Sequence, residues 1–302
     1  MKVVELSGGV GGARLARGLA RLDHVELTVV VNVGDDDEVH GLHVSPDLDT
    51  VVYTLAGVEG QQGWGRAADT FEVNSEMERF GVDTTFQLGD RDLALNIYRT
   101  NRLRAGDPLS TVTDDVTSAF GVSANVIPST DDRLATEIRV AEDGWISFQE
   151  YFVIRSHRDR VEEVRYAGAA DSAPAPGVID AIEDADLVVI GPSNPPLSIW
   201  PILAISQISK TVSQHPNVAA ISPLVRSKAL KGPADRVMAS LGLSTGNRGV
   251  VEAYDGLIKK LLIHDSDGDS TEAIDGVELI SAETLITQPL AAEALAQRLV
   301  DL

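Results

Sequence analysis

The sequence predicts an α/β fold: a mostly parallel sheet covered by helices and interrupted by an inserted helical and small-β subdomain. Three observations predict it. The segments VVEL, LTVVVN and DLVVI are near-continuous apolar runs, as expected of strands covered on both faces. At both ends of the chain such runs alternate with helix-length segments, the order that βαβ units require. Between residues 61 and 170 the alternation lapses into helices followed by short extended pieces.

The elements follow from local chemistry. Residues 3–6 form a strand, 14–22 a helix and 27–32 a second strand. Ser45 and Pro46 suit the cap and first position of a helix over 47–56, which Gly57 stops. The D-x-x-E pattern from Asp69 opens a helix over 69–80 ending at Gly81; 90–104 and 109–120 are helices ending at Gly106 and Gly121. Extended pieces at 136–140 and 145–154, separated by AEDG, read as a hairpin. After the linker APAPG, a helix over 178–184 leads to strands at 187–190, 218–221, 261–264 and 277–280, and a helix over 290–299 closes the chain. Residues 265–272 read as an exposed loop. The core is therefore expected from 1–60 and 171–302, with 61–170 as the insertion, in one continuous unit.

Composition narrows the function. With 302 residues the chain can bury a full core. No apolar run approaches the ~20 residues of a membrane span, and MKVVEL enters a strand without a signal-like region, so the expectation is a cytoplasmic protein with no membrane partner. The absence of cysteine excludes disulfides, thiolate metal sites and cysteine nucleophiles. A net charge of −21 argues against nucleic acid as a partner. It also means that an anionic substrate needs local positive charge, from a metal, arginines or helix starts.

The loops that follow the strands carry the chemistry. Gly8, Gly9, Gly11 and Gly12 stand where a strand hands over to a helix, either as a tight turn or as a loop aiming N–H groups at a phosphate. The dinucleotide fingerprint G-x-G-x-x-G fails because its third glycine falls on Arg14, and no G-x-x-x-x-G-K-[ST] is present. Asp35, Asp36 and Asp37 follow the second strand, as ligand contacts or as a solvated turn. Asp47 and Asp49 are stronger candidates; two residues apart on a helix, they point to different faces, one for chemistry and one as a cap. His40 and His43 lack a matching pair of ligands and read as loop residues. Arg91 opens a helix that also carries Arg99, Arg102 and Arg104, and is a candidate phosphate clamp. Gly191, Pro192, Ser193 and Asn194 form a stiff polar loop at a strand end, and Lys228 and Lys231 bring cations to the same end of the sheet.

Together these loops resemble the 2-phospho-L-lactate transferase family of coenzyme F-420 biosynthesis. The resemblance rests on SGGVGGARL at 7–15, SPDLDTVVY at 45–53, LGDRD at 88–92, FQEYFV at 148–153, IGPSNPPLSIWPIL at 190–203 and SPLVRSKALKGPADRVM at 222–238. It spans nearly the whole chain, and SGGVGGARL is more similar to the actinobacterial branch than to the archaeal one. The resemblance implies a Rossmann-like sheet with a helical insertion, usually in a homodimer. It implies transfer of a phosphoenolpyruvyl or 2-phospholactyl group from a guanosine diphosphate-linked donor to the ribityl hydroxyl of the deazaflavin Fo, with release of GMP and a need for Mg2+. Asp49 matches the family's Fo-binding aspartate. Gln87 stands where many members carry a lysine that also contacts Fo, and Arg226 and Ser227 replace a glycine pair. On this reading Asp49, with Asp35 or Asp36, holds the metal or orients the hydroxyl. Gly8–Gly12 and the Gly191–Asn194 loop cradle the phosphates, with Arg91 and Lys231 as clamps. The competing class is a non-catalytic regulator that binds a nucleotide sugar, resembling the gluconeogenesis factors; a NAD oxidoreductase is disfavoured by the failed fingerprint.

Overall fold

The structure is a computed structural model that describes residues 1–267 and 273–302. The chain opens with β1 (Lys2–Ser7), α1 (Gly9–Ala20) and β2 (Glu26–Val31), then a hairpin of β3 (Asp37–Val39) and β4 (Leu42–Val44). Next come α2 (Pro46–Ala56), α3 (Glu72–Arg79), α4 (Asp90–Arg104), α5 (Leu109–Ala119) and β5 (Asn125–Pro128). Strands β6 (Ala135–Val140), β7 (Gly144–Ser147) and β8 (Val161–Ala167) follow, with a π-helical turn at Glu150–Ile154 between the last two. The remainder is α6 (Val178–Glu183), β9 (Leu187–Ile190), a π-helical turn at Pro195–Ile199, α7 (Trp200–Leu203), α8 (Ser206–Gln214) and β10 (Val218–Ile221). Then come β11 (Leu224–Val225), β12 (Lys228–Ala229), α9 (Ala234–Ser240), α10 (Gly246–Ala253), β13 (Lys260–His264), β14 (Glu278–Ala282) and α11 (Pro289–Val300).

Seven strands make one parallel sheet in the order β14-β13-β10-β9-β1-β2-β5. The α/β expectation holds, and the apolar runs that suggested it become three adjacent strands, β9, β1 and β2; β9 and its other neighbour β10 are buried throughout. The chain winds from β1 one way to β2 and β5, then returns to β9 and proceeds the other way. The switch falls between β1 and β9, where a crevice opens at the carboxyl ends of the strands.

Part of the 61–170 stretch belongs to this sheet. Strand β5 pairs with β2 as the edge strand, Thr28 opposite Asn125, and α5 packs against it. The separate small sheet has three antiparallel strands, β7-β6-β8, rather than one hairpin. Its buried Ile138, Val140 and Val161 cluster with Leu197 and Val237, so it is fastened to the two segments that follow β9 and β12. Residues 148–154, expected to be extended, are helical instead, 150–154 as the π-helical turn. Of the loop expected at 265–272, Asp265–Asp267 form a 3-10 turn and the rest lies outside the described residues.

Two hairpins turn on two residues with positive φ: His40 (53°) with Gly41 (74°), and Arg226 (52°) with Ser227 (61°). This two-residue turn favours glycine or asparagine. At 226–227 the backbone thus keeps the conformation that suits a glycine pair, although this chain places Arg and Ser there.

Candidate active site

The loops at the carboxyl ends of the strands, joined by residues 62–65, 85–88 and 148–157, enclose a cavity of about 850 Å³ at the switch point. The loop after β1 begins α1 at Gly9, whose φ of +64° suits glycine. A side chain at Gly11 would overlap the Pro192 carbonyl, which explains why the chain is bare there. The two switch-point loops are locked together by Ser193, whose Oγ donates to the Gly8 carbonyl (2.7 Å) and accepts from the Gly8 N–H (3.3 Å).

Asp47 sits across the glycine loop. Its Oδ1 accepts from the Gly9 N–H (2.7 Å) and its Oδ2 from the Asn32 amide (2.9 Å). The same Asn32 Nδ2 also donates to Asp35 Oδ1 (3.2 Å). Asp35 and Asp47 are only 4% and 7% exposed. Burial drives both carboxyls above the ordinary carboxylate range, further for Asp35 because Asp47 faces it; Asp47 is pushed up to about 6.

Asp49 has another partner. The Arg99 guanidinium, 3% exposed, grips both of its oxygens, one at 3.2 Å, and donates also to Asn96 Oδ1 (2.8 Å). Burial still raises the Asp49 carboxyl, against the pull of Arg99. A fourth acid, Asp92, lines the same cavity; burial pushes it up to about 6. Asp36 lies behind these, accepting from Ser45 Oγ (2.7 Å) and facing His43 Nε2 (3.0 Å), which gives that histidine a structural partner. Ser45 holds the cap position of α2, but its side chain serves Asp36 rather than the helix end.

Two cations balance the acids. Arg14 and Lys231 both line the cavity, and each is lowered from its ordinary range by burial, with Arg14's charge a further cause at Lys231. Lys231 reaches over to the Gln62 carbonyl and so ties the loop after α2 to the loop before α9.

The structure thus gathers Gly8, Gly9, Gly11, Asp35, Asp49, Gln87, Ser193, Asn194 and Lys231 around one cavity. Gly12 and Gly191 pack underneath it, against Ser7 and Glu5. Arg91 and Lys228 do not join: Arg91 is exposed and donates to the Ala67 carbonyl (3.3 Å), and Lys228 is exposed and pairs with Asp235 (3.2 Å). Sequence reasoning set Asp47 below Asp49 and passed over Arg14, Asp92 and Arg99 as site residues. Arg14 had a signal, since it follows the last of the glycines by two residues on α1. Among the described residues no three His, Asp or Glu side chains are grouped as a closed metal cage. A pair of buried, mutually repelling carboxylates is nonetheless what Mg2+ uses, because that ion takes one or two carboxylates and fills its remaining positions with water and phosphate.

The family model described as 2-phospho-L-lactate transferase CofD matches residues 3–286. The chain belongs to that family. Among relatives of the 2-phospho-L-lactate transferase family, the 2-phospho-L-lactate transferase of Methanopyrus kandleri is 40% identical over 95% of this chain and 92% of its own length. The phosphoenolpyruvate transferases of Streptomyces griseus and Streptomyces coelicolor are 38% and 39% identical, over 100% and 98% of this chain and 98% and 97% of theirs. A solved UPF0052-family protein of Bacillus halodurans has a TM-score of 0.69 at 17% identity, covering 99% of both chains, which speaks for the fold alone. The resemblance seen in the motifs therefore stands, and the protein is an enzyme of the transferase class rather than a non-catalytic regulator. Among the described residues no helix is long and apolar enough to cross a membrane.

Proposed function

We propose that this enzyme transfers a phosphoenolpyruvyl or 2-phospholactyl group from a guanosine diphosphate-linked donor to the ribityl hydroxyl of Fo, releasing GMP, as a step in coenzyme F-420 biosynthesis. The observation that carries this reading is one cavity, roomy enough for two ligands, in which a glycine-rich helix start, two cations and four acids face each other.

The glycine loop, Arg14 and Lys231 offer donors to the diphosphate. Asp47, however, stands at the same helix start as a carboxylate. A divalent cation relieves the repulsion between it and the diphosphate, and Asp35 and Asp47 are the residues that would hold Mg2+. When bound, the ion neutralises charge on the diphosphate and on the departing GMP.

Transfer of this kind rests on positioning and charge. The ribityl oxygen bonds to the phosphorus that bears the three-carbon acid, the bond from that phosphorus to the bridging oxygen breaks, and GMP leaves with that oxygen. Asp49, fixed by Arg99, accepts a hydrogen bond from the attacking hydroxyl and orients it. The hydroxyl proton passes to Asp92, the cavity carboxylate that neither the ion nor Arg99 engages, whose raised proton affinity suits a base near neutral pH. Gln87, at the cavity wall, donates an amide where the family's lysine offers a charge.

Incubation of the purified enzyme with Fo, Mg2+ and each guanosine diphosphate-linked acid, with GMP release followed, tests the reaction and names the donor together. Absence of both GMP release and Fo binding would overturn it. The reading includes a cytoplasmic homodimer, which sedimentation and cell fractionation check.

A further inference from the structure

One wall of the cavity is aromatic. Phe148 and Phe152 stack with their centroids 5.2 Å apart and planes 10° from parallel, and His157 packs on Phe152 at 5.1 Å. All three line the cavity. His157 is held there against backbone preference: Ser156 and His157 have φ of 51° and 44° in succession. Such a conformation is strained for any residue with a side chain, and glycine would adopt it freely. A turn alone therefore does not call for a histidine.

Arg236 of α9 holds this residue at two points. One guanidinium nitrogen donates to the His157 carbonyl (3.2 Å) and meets the ring Nδ1 (2.8 Å). A guanidinium only donates, so Nδ1 is the acceptor and the proton of the neutral ring lies on Nε2. Burial and the Arg236 charge both favour the neutral ring. The backbone N–H of His157 is used separately, by the Tyr151 carbonyl (2.8 Å).

We propose that His157 is a specificity-determining contact: its Nε2–H, fixed by Arg236, donates to a ring carbonyl of a planar heterocycle that lies against the Phe148–Phe152 stack. Arg236 is its positioning residue. This rests on the proposed reaction, which brings two such heterocycles to the cavity, a deazaflavin and a guanine; they share the flat ring and the edge carbonyl.

Two binding titrations distinguish them, one with Fo followed by its fluorescence and one with GDP followed by calorimetry. We expect His157→Phe, which keeps the stacking and removes the donor, to weaken one of the two about tenfold and leave the other unchanged. His157→Gln, which restores an N–H, should recover part of the loss. Ring ¹⁵N spectra of the wild type should show the Nε2-protonated tautomer, and Arg236→Met should convert it to a mixture, a change that mere packing would not produce. Wild-type affinity of His157→Phe for both ligands, or an Nδ1-protonated ring in the wild type, overturns this assignment and leaves the reaction standing. Failure of the wild type to bind either ligand overturns both.

Discussion

Arg99 and Asp49, fifty residues apart on α4 and α2, form a two-point ion pair beneath the cavity, with the guanidinium almost wholly out of solvent. The pair fixes the rotamer of an acid in the first turn of α2 and fastens the α3–α4 region to the sheet's active end. Loss of one partner strands a buried charge. Arg99→Met is expected to cost about 3–5 kcal/mol in urea unfolding, a loss well above that of an exposed pair. Asp49→Asn retains an acceptor for Arg99, and Asn96 keeps its own bond to it. That variant should fold, by circular dichroism, and lose about 10²–10³ in turnover. Full activity in a folded Asp49→Asn enzyme would remove Asp49 from the mechanism.

Metal should stabilise the fold through Asp35 and Asp47. At Mg2+ near 100 times its dissociation constant, the gain is expected to be about 2.7 kcal/mol, visible as a rise in melting temperature. Asp35→Asn and Asp47→Asn should abolish that rise. An equal shift in both variants and the wild type would place the ion elsewhere.

The same pair sets a pH dependence in metal-free protein. Asp47 is at about 6 in the fold against 3.8 as a free group, and Asp35 is raised in the same direction, so the native state binds these protons more tightly than the unfolded chain. The stabilising contribution of Asp47 is complete below about pH 4 and is lost as pH rises through about 6, and Asp35 acts in the same direction. Lowering pH from about 7 to about 5 should therefore add roughly 1 kcal/mol through Asp47 alone. Unfolding free energies in EDTA across this window check it, and Asp47→Asn should flatten the slope.

The hairpin at 226–227 offers a gain without chemistry. Ser227 holds a φ of 61°, and its Oγ crowds the space above Gly246. Ser227→Gly should raise stability by about 1 kcal/mol. The urea midpoint should move upward with no change in slope; an unchanged or lowered midpoint would mean that the Ser227 side chain repays the strain.

Much of this architecture was legible in local sequence. The helix at Asp90–Arg104 is legible to the residue, because an acid at its start and a glycine beyond its end mark it; β9 and β10 are equally plain as short apolar runs between turn residues. The hairpin β3–β4 was not, since three successive aspartates look like solvated loop until the turn at His40 and Gly41 pairs the flanking residues. Asp47 and Asp49 were expected to divide their roles by helix face. The cavity instead wraps the start of α2, so both acids reach it, one toward Gly9 and the other toward Arg99. Arg91 reads from the sequence as the clamp of its helix, yet two turns further along the same helix Arg99 is the arginine that turns inward.

The sequence by itself determined the parallel α/β frame, the order of its loops and the family, because strand burial, helix ends and contiguous motifs are written in neighbouring residues. Only the tertiary structure decided which acid faces a cation and which faces another acid. It also decided that Arg14 and Lys231 share a cavity, and that Arg236 reaches His157. The reason is physical: charge and proton affinity depend on distances between groups far apart in the chain, and those distances exist only once the sheet has brought its loops to one edge.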